Sequence, residues 1–313
     1  MTEHLTQWSF FISSIILLPI LTVSTIRKTK ARLQNRIGPR WFQPLFDLCR
    51  LLRKDETISN TMSGVFRLST VACLAIMILI AWLTPWLAYK PWSPNADLFL
   101  ILYLIGLARL LTLLGALDAG SAFGAFGASR EATLSLLVEP AALLGFAALG
   151  VISGSSDLRV IFSLSNNALE TNPIVWILVG SAILLASLVE LSRMPVDDPT
   201  THLELTMVHE AMILEASGRN LALIEFTHSL HMSILFGLSA ECYLRAIPSF
   251  WSASTEIHML ASVFGILLLA MLVGTFESIA VKLQWRKVPE FIAYSMTMSL
   301  LAAFIASAGG ILK

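Results

Sequence analysis

The sequence predicts an all-α integral membrane protein with eight transmembrane helices and amphipathic cytoplasmic segments. Hydrophobic residues make up 56% of its 313 residues, and the mean hydropathy is +0.76. Only 13% of the residues are charged, whereas soluble domains carry about 25%. Apolar runs near the length that crosses a bilayer as a helix recur along the chain. We therefore treat residues 1–313 as a single membrane domain.

The apolar runs define the eight predicted spans. The first run has no basic segment before it, so we expect a retained span rather than a cleaved signal peptide. The predicted spans lie near residues 8–26, 67–89, 97–117, 133–153, 173–192, 221–246, 258–280 and 290–312.

Charge asymmetry predicts the orientation. The segments after the odd-numbered spans carry sixteen Lys and Arg residues, and those after the even-numbered spans, with the C-terminus, carry three. Positive residues mark the cytoplasmic side, so both termini are expected on the outer side. The formal net charge is zero, which gives no support for a nucleic-acid partner. Three widely spaced cysteines without a CxxC pair argue against a metal cluster in this chain.

The first cytoplasmic loop, 27–66, contains a turn signal at 36–39 and then a candidate amphipathic helix. Residues 44–54 alternate apolar Leu45, Leu48 and Leu52 with a basic cluster, as in helices that lie on a membrane surface. Two interpretations stay open: a positive-inside anchor, or a docking platform for a partner subunit. The basic residues assigned to docking in this loop are Arg36, Arg50, Arg53 and Lys54.

The second cytoplasmic loop is rich in small residues. Gly120, Gly124 and Gly127 allow tight turns or close backbone approach. No strand precedes these glycines, so a phosphate-binding loop is disfavoured. In the fourth span, Glu131 and Glu139 lie eight residues apart on one helix face, which favours a polar path over an interfacial anchor.

The acidic cytoplasmic segment, 193–220, is the stretch between two spans that is richest in Asp and Glu. Thr201 and Glu204 form a capping-box pattern, which predicts a helix over 203–215. On this helix Glu204 and Glu215 would share a face. The stretch 203–214 has no Lys or Arg, which favours a half-buried acidic helix over a solvated surface helix.

The sixth span carries a polar stripe of Glu225, His228 and His231 at helical spacing. Ionisable groups are costly in a bilayer and tend to face the bundle interior. A proton relay suits this stripe better than a metal site, because two histidines three residues apart lack a further ligand. Glu190 ends the fifth span and Glu277 lies near the end of the seventh.

Four stretches together resemble a known family: 32–39, 118–131, 137–140 and 193–219. The chain is similar to subunit 1 of respiratory complex I. It resembles more closely the membrane subunit of group 4 NiFe hydrogenases, of the formate hydrogenlyase subunit 4 type. The sequence MPVDDPTTHLE (194–204) stands where complex I has an APFDLPE-like sequence. This departure disfavours quinone binding.

The resemblance implies a non-catalytic anchor and proton or sodium pathway subunit, with no cofactor of its own, in a prokaryotic cytoplasmic (inner) membrane. The implied partners are hydrophilic subunits that carry Fe–S clusters and a NiFe-hydrogenase-like large subunit, together with antiporter-like membrane subunits. The implied pathway residues are Glu131, Glu139, Glu190, Asp197, Glu204, Glu210, Glu215 and Glu225. The positions of His228 in the polar stripe and of Glu277 near the end of the seventh span add these two residues to the predicted pathway. Arg130, Arg193 and Asp198 join the predicted docking residues.

Two other functions stay open at this stage. One is a quinone-chamber subunit of a respiratory NADH:quinone oxidoreductase, and the other is a stand-alone secondary transporter. The absence of an internal repeat and the large basic cytoplasmic face argue against the transporter. The sequence leaves the choice between proton and sodium open, and no catalytic residue is predicted.

Overall fold

The computed structural model describes residues 2–59, 62–87, 96–163, 172–197, 207–251 and 255–311. Within these residues there is no β-strand, and one isolated bridge joins Asp97 and Asp157. Eight helices in this part of the chain are long and apolar enough to cross a membrane. The predicted all-α membrane fold is therefore confirmed, and the protein is a multi-pass membrane protein.

Eight long helices form the spans, and we number all α-helices in chain order. The first to eighth spans are α1 (Thr2–Leu33), α3 (Gly64–Leu83), α4 (Leu98–Asp118), α5 (Ala122–Ser153), α7 (Pro173–Glu190), α9 (Gly218–Arg245), α11 (Thr255–Ile279) and α12 (Val288–Ile311). The short helices are α2 (Gln43–Leu52), α6 (Leu158–Ile161), α8 (His209–Ile213) and α10 (Pro248–Trp251), and a 3₁₀ turn covers Trp285–Lys287.

Side-chain caps explain where three of the spans begin. The side chains of Ser63, Asp97 and Ser121 each accept a hydrogen bond from a backbone N–H in the first turn of the helix that follows. Such caps satisfy donors that have no partner inside the helix. The polar residues that flank each apolar run therefore fix the ends of these helices.

The fourth span begins well before the predicted position 133. Gly120 adopts a φ of +66° in the turn that precedes it, whereas Gly124 and Gly127 lie inside the helix. A Cβ at Gly127 would lie 2.8 Å from the carbonyl oxygen of Val208. The small residues therefore serve both roles, one in a tight turn and the others in close packing.

The predicted helix over 203–215 is wrong in the part that the structure describes. Residues 198–206, which include Asp198 and Glu204, lie outside the described residues. Of the remainder, only α8 is helical, and Glu215 lies beyond its end on the surface. The segment packs Ala211, Met212 and Ile213 into the bundle, so burial of this apolar turn decides its conformation.

In the described part of the chain, one end of the bundle is formed by the segments 34–59, 62–63, 119–121, 191–197, 207–217 and 280–287, and we call it the basic end. The first of these segments is attached to the start of the sixth span. Thr57 N–H donates a hydrogen bond of 2.9 Å to Ser217 Oγ, and Ser217 Oγ donates one of 2.9 Å to Thr57 O. Gly218, with a φ of +52°, permits this approach, because a Cβ there would lie 2.5 Å from Asp55 O.

Candidate functional site

A cavity of about 110 Å³ lies between the second, third and sixth spans and α8, with one lining residue each from the fourth and fifth spans. One ordered water needs roughly 10–15 Å³ of such volume, so the cavity has room for several. Hydroxyl groups of Ser69, Thr70, Thr112 and Thr227 line part of its wall. Its ionisable lining residues are Arg109, Glu131, Glu190, His209, His228 and His231.

Arg109 forms the centre of this site. Its Nη2 lies 2.7 Å from Glu190 Oε1, and its Nη1 donates a hydrogen bond to Glu139. The side chains of Arg109 and Glu190 are each only 9% exposed, whereas that of Glu139 is 50% exposed. One guanidinium therefore binds two carboxylates from two other spans, and such charge-assisted pairs compensate for the loss of solvation.

Glu131 is a second buried carboxylate on the cavity wall. Ser192 Oγ lies 3.5 Å from its Oε2, at the outer limit of a hydrogen bond. The charges that act on Glu131 at longer range are those of Arg109, Glu190 and Asp197. Glu131 therefore lacks the direct cationic partner that Glu190 has within the described residues.

Three histidines complete the ionisable lining. His231 Nε2 lies 3.4 Å from Glu190 Oε1, close enough for an ion pair, although the geometry is not that of a hydrogen bond. The rings of His209 and His228 are stacked with their centroids 4.3 Å apart. Burial lowers the pKa of His209 to about 4, against a smaller opposing effect of Asp197. His209 is therefore neutral at physiological pH, with one donor and one acceptor nitrogen.

Two predicted pathway residues belong to a separate network. Glu277 is buried between Lys30 Nζ, at 3.7 Å, and Arg193 Nη1, at 3.3 Å. Asp197 accepts hydrogen bonds from Lys282 Nζ at 2.6 Å and from the backbone N–H of Val208 at 2.9 Å. These contacts attach the start of the acidic segment to the first and seventh spans, and neither carboxylate lines the cavity.

Three further predicted pathway residues also lie off the cavity wall. Glu225 faces the first span and α2, where Arg27, Arg193 and Asp47 act on it. Glu210 is partly exposed on α8, and Glu215 is exposed. The structure thus brings Glu131, Glu139, Glu190 and His228 to the Arg109 centre or its cavity.

The predicted docking residues differ in their surroundings. Of these residues, Arg36, Arg50, Arg53 and Lys54 have exposed side chains at the basic end. Arg130 instead lies 3.9 Å from the ring centroid of Phe126 and 5.2 Å from that of Trp285. Arg193 points inward and donates a hydrogen bond to Met232 Sδ at 3.3 Å.

Sequence reasoning missed Arg109 and His209, whereas it placed His231 in the polar stripe of the sixth span. Arg109 is the one charged residue in the interior of the predicted third span, since Asp97 lies at its first position. Since a charge inside a span is a functional signal by default, this position alone could have identified it. The partners of Arg109 could not have been read from the sequence, because they lie on two other spans.

An apolar crevice of about 800 Å³ lies on the other side of Arg109, between the third, fourth and fifth spans. Its walls are mostly Leu, Ile, Phe and Ala side chains, and Arg109, Glu139 and Glu190 lie along it. The third span is the least buried of the eight in the described part of the chain. Glu139 is therefore a half-exposed carboxylate within the membrane-spanning part of the surface.

Among the described residues, no group of three or more His, Cys, Asp or Glu side chains is arranged to hold a metal ion. The cavity histidines contact a carboxylate or one another rather than converging on one point. The arrangement suits transfer of protons between carboxylates, imidazoles and water.

Comparison with known proteins agrees with the resemblance seen in the sequence. A family profile described as NADH dehydrogenase matches residues 6–308. Hydrogenase-4 component C of Escherichia coli K12 is 30% identical over 74% of this chain and 72% of its own length. Formate hydrogenlyase subunit 4 of the same organism is 27% identical over 91% of this chain and 94% of its own length.

Two further matches are more distant. A subunit of the NADH-quinone oxidoreductase of Flavobacterium johnsoniae is 29% identical over 55% of this chain and 53% of its own length. A chain in the solved structure of the membrane-bound sulfane sulfur reductase, an archaeal respiratory membrane complex, has a TM-score of 0.78 at 16% identity. The alignment covers 98% of this chain and all of that chain, and it supports the fold.

Proposed function

Because the chain belongs to the NADH dehydrogenase family, we propose that it is the membrane-anchor and proton-pathway subunit of a hydrogenase-type respiratory complex. A peripheral oxidoreductase arm with Fe–S clusters and a NiFe-hydrogenase-type large subunit docks on the basic end. Antiporter-like membrane subunits receive the proton from this chain. The two Escherichia coli relatives, named as components of hydrogenase-4 and formate hydrogenlyase, support this branch of the family.

The observation that carries the proposal is the Arg109-centred cavity. Four spans and α8 bring two buried glutamates, three histidines and one arginine around a space that holds several waters. Ionisable residues are rare inside membrane spans and mark ion pathways when they cluster. Glu131, with only a weak hydrogen bond from Ser192, is the carboxylate best suited to gain and lose a proton.

The lining favours a proton over a sodium ion. A hard cation needs a shell of oxygen ligands. Here Glu190 Oε1 is already bonded to Arg109, and three of the ionisable lining residues are imidazoles. Imidazoles and carboxyl groups exchange protons through hydrogen bonds. These side chains are therefore poor ligands for sodium but suitable members of a proton relay.

Glu139 is the point at which the proton leaves this chain. Its carboxylate is half exposed, on the apolar crevice, and shares Arg109 with the buried Glu190. A charged group within a span normally faces protein rather than lipid. A helix of a neighbouring membrane subunit in the crevice would cover Glu139 and continue the path.

The test uses Glu131→Gln and Glu190→Gln in the assembled complex. Each Gln keeps the shape and hydrogen bonding of the site but cannot carry the proton as an acid. We expect proton uptake into inverted membrane vesicles to fall at least tenfold, while electron transfer to an artificial acceptor is retained and native gels show full assembly.

Glu290→Gln is the matched control, because Glu290 is an exposed glutamate in the first turn of the eighth span. This variant should keep wild-type uptake. Normal uptake in both cavity variants would overturn the pathway. Uptake that disappears when sodium is omitted would overturn the choice of the proton.

The quinone-chamber function remains the second candidate, favoured by the match to the NADH-quinone oxidoreductase of Flavobacterium johnsoniae. The cavity of about 110 Å³ is smaller than the roughly 300–1,000 Å³ of pockets for organic ligands, whereas the apolar crevice of about 800 Å³ falls within that range. The sequence of the partner large subunit distinguishes the two. Four cysteine ligands for a NiFe centre support the hydrogenase, and their loss supports the quinone-linked enzyme.

A further inference from the structure

The outer face of α2 carries exposed aromatic side chains. Trp41 and Phe42 precede the helix and are each 47% exposed, and Phe46 within it is 60% exposed. The opposite face of α2 packs against the first and sixth spans, where Asp47 lies 3.9 Å from Arg27. Phe42 and Phe46 therefore lie outside the packing between α2 and the bundle, whereas Trp41 contacts the first span.

Contacts with the first span fix the height of these aromatic residues relative to the bilayer. Ser24 Oγ donates a hydrogen bond of 2.5 Å to Trp41 O, and Lys28 Nζ lies 4.2 Å from the centroid of the Trp41 ring. The apolar run of the first span ends at residue 26, and Arg27 and Lys28 follow it. Trp41 thus lies at the level where the hydrocarbon core gives way to headgroups, the level at which aromatic belts occur.

The charge around these aromatic residues is strongly positive. Residues 27–54 contain nine Lys and Arg and one acidic residue, Asp47. Lys30 is engaged with Glu277, whereas Arg36 and Arg40 are exposed beside the aromatic residues in the chain. A basic segment next to a transmembrane helix attracts anionic lipids.

We propose that the corner between the first span and α2 is a binding surface for anionic phospholipid. Trp41, Phe42 and Phe46 insert between lipids at headgroup depth, and Lys28 and Arg40 bind the phosphate group. The other end of α2 carries Arg50, Arg53 and Lys54 and stays in water, available to the peripheral arm. Lipid binding by this corner does not depend on the proton path.

The insertion is tested with nitroxide labels on the full-length chain in vesicles. Cys49 is the exposed cysteine of the three and is replaced by Ser. The label is then placed at Phe46→Cys or, as a matched control on the same helix, at Arg53→Cys. In vesicles that contain phosphatidylglycerol, we expect oxygen to increase the spin relaxation rate of the label at position 46 more than a water-soluble nickel complex does. At position 53 the nickel complex should have the larger effect.

The lipid preference is tested by the phosphatidylglycerol that stays bound to the purified chain. Each basic residue near an anionic surface contributes about fivefold in affinity. Lys28→Gln and Arg40→Gln should each lower retained phosphatidylglycerol by about that factor, with retained phosphatidylcholine unchanged. Equal retention in wild type and both variants would overturn the headgroup contacts.

Two other outcomes would also overturn the proposal. One is a label at 46 that the nickel complex reaches in every lipid mixture. The other concerns native membranes that contain the complete complex. It is a reaction of Phe46→Cys with a membrane-impermeant maleimide that occurs only after the peripheral subunits are removed. That result would mean that a protein, not lipid, covers the aromatic face. Failure of the cavity variants to affect proton uptake would leave both lipid tests unchanged.

Discussion

Arg109 lies where carboxylates from the fourth and fifth spans meet, and each of its terminal nitrogens binds one of them. The pair with Glu190 is the more buried, so its charges are compensated mainly by each other. A buried ion pair contributes little compared with an apolar replacement, but the loss of one partner leaves an uncompensated charge. Arg109 is therefore both a structural contact and the residue that sets the charge of the cavity.

Replacement of Arg109 by Gln should destabilise the protein by about 3–5 kcal/mol, because Glu190 then keeps a buried charge without its guanidinium partner and with only His231 beside it. The double variant Arg109→Gln with Glu190→Gln should recover much of this loss. The measurement is denaturant unfolding of the purified chain in detergent micelles. A double variant no more stable than Arg109→Gln would contradict the pairing.

His209 predicts a pH dependence of stability. Its pKa is about 4 in the folded protein and 6.5 when exposed, so the unfolded chain binds the additional proton between these values. Stability is therefore unaffected above pH 6.5 and falls as the pH drops towards 4, by about 3 kcal/mol in total. Thermal unfolding at pH 7.5 and pH 5 should show a larger decrease for wild type than for His209→Gln. An equal decrease in both proteins would assign the effect to other groups.

Among the secondary-structure elements, α8 depends most on its surroundings. It has five residues, too few for an independent helix, and it presents His209 to the cavity. The fourth span supports it at Gly127, where a side chain would lie 2.8 Å from Val208 O and 3.0 Å from Met212 Cγ. The position of His209 thus depends on a glycine in another element.

Gly127→Ala should displace α8 and disturb the stacked His209–His228 pair. The added methyl group meets backbone oxygen as well as side chains, so we expect a loss of about 1–3 kcal/mol in stability. Gly106→Ala in the third span is the matched control, because nothing lies within 4 Å of a Cβ there. Thermal unfolding and proton uptake should both decrease for Gly127→Ala alone. Equal behaviour of the two variants would remove the support assigned to Gly127.

Considered as a whole, the described part of the molecule has two polar regions separated by apolar packing. His228 and His231 line the cavity from the sixth span, and Glu241 and Arg245 are buried near the other end of the same helix. Between them the sixth span buries five large apolar side chains, together with the small polar side chains of Ser233 and Ser239. The apolar side chains belong to Met232, Ile234, Leu235, Phe236 and Leu238. Ten residues of helix separate His231 from Glu241, about 15 Å.

This barrier predicts that the chain alone does not conduct protons across a bilayer. Vesicles that contain the purified chain should hold an imposed pH gradient as long as empty vesicles do. The complete complex should take up protons with turnover, because the path continues laterally through Glu139 into a neighbouring subunit. A rapid proton leak through the chain alone would contradict a lateral path.

The orientation predicted from charge is tested by labelling single cysteines in a background that lacks Cys49. Glu56→Cys should react with a membrane-impermeant maleimide from the cytoplasmic side, and Ser165→Cys from the outer side. Labelling of position 165 from the cytoplasmic side would reverse the topology and place the basic end outside.

The sequence was sufficient for the eight spans, because bilayer thickness imposes an apolar length that can be read directly from composition. Helical periodicity predicted one face for Glu131 and Glu139, but packing places Glu131 on the cavity and Glu139 on the apolar crevice. The sequence was not sufficient for the segment around α8, where capping signals predicted a longer helix and tertiary packing determined a shorter one.

What the sequence by itself determined is therefore local: the all-α membrane class, the number of spans, the basic first loop and the family motifs. Tertiary structure alone decided that Arg109 binds Glu139 and Glu190, that Glu277 and Asp197 belong to another network, and that Glu225 faces α2. The physical reason is that each of these contacts joins different spans. Hydropathy fixes how far a helix extends through the bilayer, but side-chain packing fixes its rotation and its neighbours.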